Sequence, residues 1–235
     1  MSIEKRVVVL FSGGLDSTTL LYHLRSMGMN VYALGVWYGQ RHSRELAQAE
    51  LICKNGGFDF NCLNLSTLPR IMKGSSQTDP TIPVPEGHYA SDNMAITVVP
   101  NRNMILLSLA TAYAISLKAD VVAYAAHLGD HDQYPDCRQV FIDALAGAIR
   151  LCDDHPPTLS APFSGLSKAQ IAQRAGILSV PVHLTYSCYN GGEVHCGRCG
   201  TCIERIEAMH IAGVVDQTEY TDTEFWKTVS KVYRG

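Results

Sequence analysis

Two stretches of the chain carry side chains spaced for chemistry. The first is Ser-Gly-Gly-Leu-Asp-Ser at 12–17, set between the apolar run VVVLF at 7–11 and the helix-like TTLLYHL at 18–24. A strand that ends in a glycine-rich turn and feeds a helix gathers exposed backbone N–H groups at the positive end of the helix dipole, which makes an anion site. Gly13 and Gly14 let backbone come close to a phosphate, and Ser12 and Ser17 add hydroxyl donors. The stretch has neither the GK[ST] of a Walker A loop nor the GxGxxG of a dinucleotide fold. A carboxylate among phosphates would repel them, so Asp16 reads as a Mg²⁺ ligand or as an acidic charge at the helix start. The plain alternative is a βα turn whose Asp and Ser residues only cap the helix.

The second stretch is Cys188, Cys196, Cys199 and Cys202, spaced C-x7-C-x2-C-x2-C with glycines at 191, 192, 197 and 200 that permit tight knuckles. Four thiolates complete a tetrahedral Zn²⁺ shell and leave no open position, which makes the expected role structural. An iron–sulfur cluster, which also takes four cysteines, is the competing reading. The other four cysteines, at 53, 62, 137 and 152, are scattered and read as small buried hydrophobes in a reducing compartment. A covalent role for Cys137 has no adjacent base to support it.

The elements that must hold these groups follow from composition and periodicity. With 235 residues, 46% hydrophobic and 17% charged, the chain can bury a full core. Its net charge of −3 gives no general attraction for nucleic acid or anionic membrane. No apolar stretch suits a membrane span and no signal peptide is visible, so a cytoplasmic protein is expected. Strands are predicted near 6–11, 31–38, 58–65 and 121–126, and helices after 17, at 43–54, 103–117, 139–151 and from about 168 with Ser167 as N-cap. That alternation predicts an α/β fold: a doubly wound, mainly parallel sheet over 1–180, followed by a small zinc-binding helical region over 181–235. The 103–117 helix, apolar nearly all round, is expected inside the domain. Residues 73–95 lack any period and read as a lid over the site.

The string SGGLDS after a first strand resembles the PP-loop of ATP pyrophosphatases, which split ATP between its α and β phosphates. Together with YGQRH at 38–42, VPNRN at 99–103, YPDCR at 134–138, LSKAQ at 166–170 and CYNG at 188–191, the chain resembles the 7-cyano-7-deazaguanine synthase family of queuosine precursor biosynthesis. The resemblance implies a ligase that adenylates the carboxylate of 7-carboxy-7-deazaguanine, lets ammonia displace AMP, and dehydrates the amide to the nitrile after a second activation. ATP and Mg²⁺ are the implied cofactors, Zn²⁺ the implied structural metal, and a homodimer the implied assembly. No stable contact with nucleic acid or membrane is expected. Ammonia would come free or from a partner, because the whole length is taken up by the synthetase fold.

On this basis the nucleotide contacts run through Phe11, Ser12, Gly13, Gly14, Leu15, Asp16 and Ser17. They continue into the helix through Thr18, Thr19, Leu20 and Leu21, with Arg41 as a further contact. Adenylation needs cations against polyphosphate and developing charge, which nominates Arg102 and Lys168, with Asp16, as catalytic. A deazaguanine ring offers N–H donors to a carboxylate from Asp132 or Asp136, a face to Tyr134, and Arg138 completes the expected substrate contacts. For His42, His127, Asp130 and His131, contact and a purely structural role weigh equally. Departures from the family pattern stand at Asn101 and Gln133, where glycines are usual, and at Gln139 and Val140, where a Pro or Asp followed by Glu is usual. They keep open a relative that stops at the amide or passes the activated base to another acceptor. A tRNA-thiolating enzyme would want a basic extension and an open cysteine site, and a zinc-knuckle binding module would not need the phosphate loop.

Overall fold

The computed structural model describes residues 4–42, 44–89, 92–230 and 232. Ser43, the expected first residue of the second helix, lies outside them. Five parallel strands form one sheet: β1 (Arg6–Leu10), β2 (Asn30–Trp37), β3 (Asp59–Asn64), β4 (Val121–Ala123) and β5 (Thr158–Ser160), in the order β3-β2-β1-β4-β5. Between them run α1 (Leu15–Ser26), α2 (Arg44–Gly56), α3 (Arg102–Ser116) and α4 (Gln139–Ile149). After β5 follow α5 (Lys168–Ile177), α6 (Gly200–Ala212) and the short α7 (Phe225–Val229).

The unbroken apolar run of β1 follows from its central place. Val8 faces a layer built from Leu107, Ala110 and Ala114 of α3 with Ile142 and Leu145 of α4. Val7 and Val9 face the opposite layer, with Leu20 and Leu21 of α1, Ile52 of α2 and Ile171 of α5. A strand covered on both faces has no polar alternation to show. Strand order reverses beside β1, where β2 and β4 flank it and the chain winds outward in both directions. Such a switch point opens a crevice at the carboxyl ends of the strands, where ligands of doubly wound folds bind.

Two expectations change. Helix α3 is not enclosed: Leu106, Leu107, Ala110 and Ala114 are buried, while Met104, Ser108, Ala112 and Ser116 form an outward stripe at four-residue spacing. A single helical layer covers that side of the sheet, and the small residues of the stripe cost little in water. The strand expected over 121–126 ends at Ala123, which frees residues 124–127 to turn toward the crevice. The segment near 73–95 is tied down at several points. Ser75, Ser76 and Gln77 are buried, Gln77 O accepts from Arg41 N at 2.8 Å, and Ser76 N donates to Ile96 O at 2.9 Å. Among the described residues no helix is long and apolar enough to cross a membrane.

Candidate active site

The crevice at the switch point is lined from both ends of the chain: by 10–12 and 14–17, by Tyr38 and Glu45, by Tyr89, by the start of α3, by 124–127, and by Lys168, Tyr186, Tyr189 and Glu204. At its floor the 12–17 turn is braced by its own side chains. Gly14 N donates to Ser12 Oγ at 3.2 Å, the Ser12 and Ser17 hydroxyls lie 3.1 Å apart, and Thr18 Oγ1 donates to Gly14 O at 2.7 Å. Gly13 has φ of +87°, and a Cβ there would meet Glu45 O at 2.5 Å and Ala49 N at 2.9 Å. Its glycine is therefore required by the backbone of α2 lying behind the turn. Of the expected nucleotide contacts, Phe11, Ser12, Gly14, Leu15, Asp16 and Ser17 line the crevice. Thr18, Thr19, Leu20 and Leu21 are fully buried along α1 and do not. Arg41 turns away and donates to Ile82 O at 3.1 Å and Pro80 O at 2.7 Å, so it fastens the 80–82 segment.

Beside the turn sits a compact ionic group. Lys168 Nζ lies 2.5 Å from Asp16 Oδ2 and 3.4 Å from Glu204 Oε2. His127 Nε2 lies 3.5 Å from the same ammonium and 3.4 Å from Asp130 Oδ1. Its Nδ1 accepts from Gly129 N at 3.1 Å, which turns Nε2 toward the lysine and the carboxylates. Two carboxylates thus share one lysine, with Asp130 held nearby by His127, and the two respond differently. Burial pushes the Asp16 carboxyl up, but the charge of Lys168 and its hydrogen bond to the carboxylate outweigh it and hold its pKa below the ordinary carboxylate value. Burial also pushes Glu204 up, and there Lys168 and His127 do not compensate, so its pKa stays raised. The second Asp16 oxygen, Oδ1, is buried without a hydrogen-bond partner. An orphaned carboxylate oxygen in a group with surplus negative charge is a fitting ligand atom for a hard divalent cation.

The other side of the crevice is aromatic. The Arg102 guanidinium lies 5.7 Å from the Tyr134 ring centre. Tyr134 OH lies 2.8 Å from Thr97 Oγ1 and 3.3 Å from Tyr189 OH, and Tyr89 OH donates to Asp130 Oδ1 at 3.1 Å. The remaining members of YPDCR serve the walls. Asp136 Oδ2 accepts from Asn103 N at 3.0 Å at the start of α3, Arg138 Nε donates to His131 O at 2.7 Å, and Asp132 is exposed. None of these three lines the crevice. Cys137 does: it is buried, accepts from Asn103 Nδ2 at 3.3 Å, and burial raises its thiol pKa, so it is held as a thiol. Asn101 has φ of +56°, a left-handed conformation that asparagine tolerates where glycine is usual. Gln139 pairs with Asp143 at 2.8 Å and Val140 is 74% exposed, so the departures there fall outside the crevice.

The cysteine knuckle abuts the site. The four sulfurs lie within 4.8 Å of one another, and Cys196 Sγ is 3.9 Å from Cys202 Sγ. A tetrahedral Zn²⁺ with bonds of about 2.3 Å would set its sulfurs about 3.8 Å apart, so the thiols fit one ion. Backbone N–H groups of Cys199 and Arg198 point at Cys196 Sγ from 3.3 and 3.4 Å, the donors a thiolate takes. Ligand and crevice positions interleave: Tyr186 and Tyr189 flank Cys188, and Cys199 caps α6, the helix that carries Thr201 and Glu204. Arg205, fully buried, makes two bonds of 3.1 Å to Asp216 and one of 2.6 Å to Thr185 Oγ1, which locks α6 to the segment that follows the 3-10 turn at Val182–Leu184. Glu204, Tyr89 and Tyr186 had no local signature in the sequence, because tertiary packing brings them to the phosphate turn, and Tyr189 stood inside the CYNG motif without being singled out as a site residue.

A family model described as queuosine biosynthesis protein QueC matches residues 6–213. A relative from Marinobacter nauticus named 7-cyano-7-deazaguanine synthase is 47% identical over 214 residues, which cover 91% of this chain and 96% of that one. A second of the same name, from Caldicellulosiruptor saccharolyticus, is 48% identical over 215 residues, 92% of this chain and 95% of that one. A third, from Allorhizobium ampelinum, is 43% identical over 232 residues, 98% of each. Matched along nearly its whole length by the model and by these relatives, the chain belongs to the queuosine biosynthesis protein QueC family.

Proposed function

We propose that the crevice activates the carboxylate of 7-carboxy-7-deazaguanine with ATP and delivers it to ammonia, ending at 7-cyano-7-deazaguanine. The observation that carries this reading is the meeting, in one crevice, of a phosphate-cradling turn with Lys168 and an aromatic wall with Arg102. The ATP phosphates would lie against Ser12, Ser17 and the N-terminus of α1, with Lys168 beside them. Mg²⁺, when bound, neutralises polyphosphate charge, and the free Oδ1 of Asp16 is the atom that would hold it. A planar ring would lie against the tyrosine wall, and Arg102 is the cation available to a bound carboxylate on that side.

The steps balance without an oxidant. The carboxylate oxygen attacks the α-phosphorus, the bond to pyrophosphate breaks, and an acyl adenylate forms. Ammonia then adds to the carbonyl carbon, loses a proton, and expels AMP. The amide oxygen then attacks the α-phosphorus of a second ATP, expelling pyrophosphate with loss of one nitrogen proton, and loss of the other proton with departure of AMP leaves the nitrile. His127 Nε2 faces the carboxylate group, 3.9 Å from Glu204 Oε1, and Glu204, with its raised pKa, is suited to receive and return a proton. Zn²⁺ in the Cys188, Cys196, Cys199 and Cys202 knuckle would be structural. A homodimer is part of the same reading. The test is ³¹P NMR of purified protein with Mg-ATP: AMP and pyrophosphate should appear only when the deazapurine acid is present. Formation of ADP, or cleavage independent of the acid, would refute the proposal.

A further inference from the structure

The tyrosines of the crevice differ in one respect. Tyr89, Tyr134, Tyr186 and Tyr189 all have hydroxyl partners: Asp130 Oδ1, Thr97 Oγ1, Gly192 O and Tyr134 OH respectively. Tyr124 is 3% exposed, lines the crevice, and its hydroxyl has no hydrogen-bond partner among the described residues. Burying an unsatisfied hydroxyl is destabilising, so a protein that keeps one at a ligand cavity leaves it for the ligand.

The surroundings indicate the class of ligand. Tyr124 follows directly on β4 and packs in the same apolar cluster as Leu106, Tyr134 and Cys137, on the α3 side of the sheet. The phosphate turn begins at Phe11, which belongs to the opposite cluster. An apolar wall with a single free hydroxyl suits the edge of a planar heterocycle and does not suit polyphosphate. Burial, reinforced by Cys137 and Asp136 nearby, raises the phenol pKa, so the O–H is retained and can donate or accept.

We propose that Tyr124 is a specificity-determining residue whose hydroxyl hydrogen-bonds the ring edge of a bound purine-type heterocycle. The ring is either the adenine of ATP or the deazapurine of the acid, so the inference rests on the reading of the site given above. Rejection follows from the same contact: a heterocycle without a polar atom at that edge would leave the hydroxyl buried and unpaired.

Tyr124→Phe keeps the ring and removes only the oxygen. Calorimetric titration of wild type and variant with Mg-α,β-methylene-ATP, and separately with 7-carboxy-7-deazaguanine, reads both candidate rings. Loss of one neutral hydrogen bond should weaken one of the two ligands about fivefold, and the ligand affected identifies the ring. In the absence of ligand the variant should melt about 2–4 °C higher, because an unsatisfied buried group is gone. Affinities for both ligands within about twofold of wild type, or a lowered melting temperature in the free protein, would overturn the inference. If wild type binds neither ligand, the reading of the site fails first, and this inference fails with it.

Discussion

Lys168→Met tests the ionic group most sharply. Lys168 Nζ stands 2.5 Å from Asp16 and 3.4 Å from Glu204, with all three side chains no more than 20% exposed. At an effective dielectric of about 20, each contact carries about 5–7 kcal/mol of gross attraction, most of it offset by the desolvation of three ions. Removing the cation leaves carboxylates facing one another, and breaking such a buried pair costs about 3–5 kcal/mol. For a chain of this size that lowers Tm by about 10 °C. The pH dependence gives the sharper reading. In wild type the Asp16 pKa is lowered, so its contribution is present above the unfolded carboxylate pKa and is lost as pH falls through the folded value. The Glu204 pKa is raised, so its contribution is present below the unfolded pKa and is lost as pH rises through the folded value. Lys168 lowers both, and without it both carboxyls move upward. Acidification then stabilises the variant relative to wild type. Melting curves by circular dichroism from pH 8 to pH 5 should show the gap in Tm narrowing steadily. A gap of constant size across that range, or one under about 2 °C at pH 8, would refute the charge argument.

Two further predictions rest on other parts of the site. Gly13→Ala places a Cβ against the α2 backbone at a left-handed φ, so it should cost about 2–4 kcal/mol and abolish nucleotide binding; chemical denaturation and ATP-analogue titration check it, and a well-folded variant that binds normally would contradict the packing argument. Purified protein should carry Zn²⁺ in a one-to-one ratio by plasma mass spectrometry, and stripping it with chelator should loosen the 185–202 region, with a cooperative drop in Tm and loss of nucleotide affinity, because Tyr186, Tyr189 and Glu204 depend on that knuckle. A metal-free protein of unchanged stability would contradict it.

The parts of this molecule that are local in sequence were legible there. The 12–17 turn shows its glycines and hydroxyls, Ser167 shows the capping box that starts α5, and the cysteine spacing shows its knuckle. What escaped depends on direction and distance. YPDCR marks the site, yet which of its side chains face inward is fixed by the 3-10 turn at Pro135–Cys137: Tyr134 and Cys137 enter the crevice, while Asp136 and Arg138 bind backbone. Helix α3 shows apolar composition, but composition does not tell a core helix from one whose outer stripe is alanine, serine and methionine. Glu204 follows the last cysteine by two residues and reads as a surface glutamate, until α6 carries it to Lys168. The lysine–carboxylate group spans residues 16 to 204, so only the folded chain assembles it.

The central claim is that this crevice makes a nitrile from a carboxylate, and mass spectrometry of the small-molecule product addresses it directly. Incubation with 7-carboxy-7-deazaguanine, Mg-ATP and an ammonium salt should yield 7-cyano-7-deazaguanine with AMP, and ¹⁵N-ammonium should place the label in the nitrile, with no product from Asp16→Ala. Accumulation of the amide alone would contradict the second activation. Absence of any product from the acid would contradict the account as a whole.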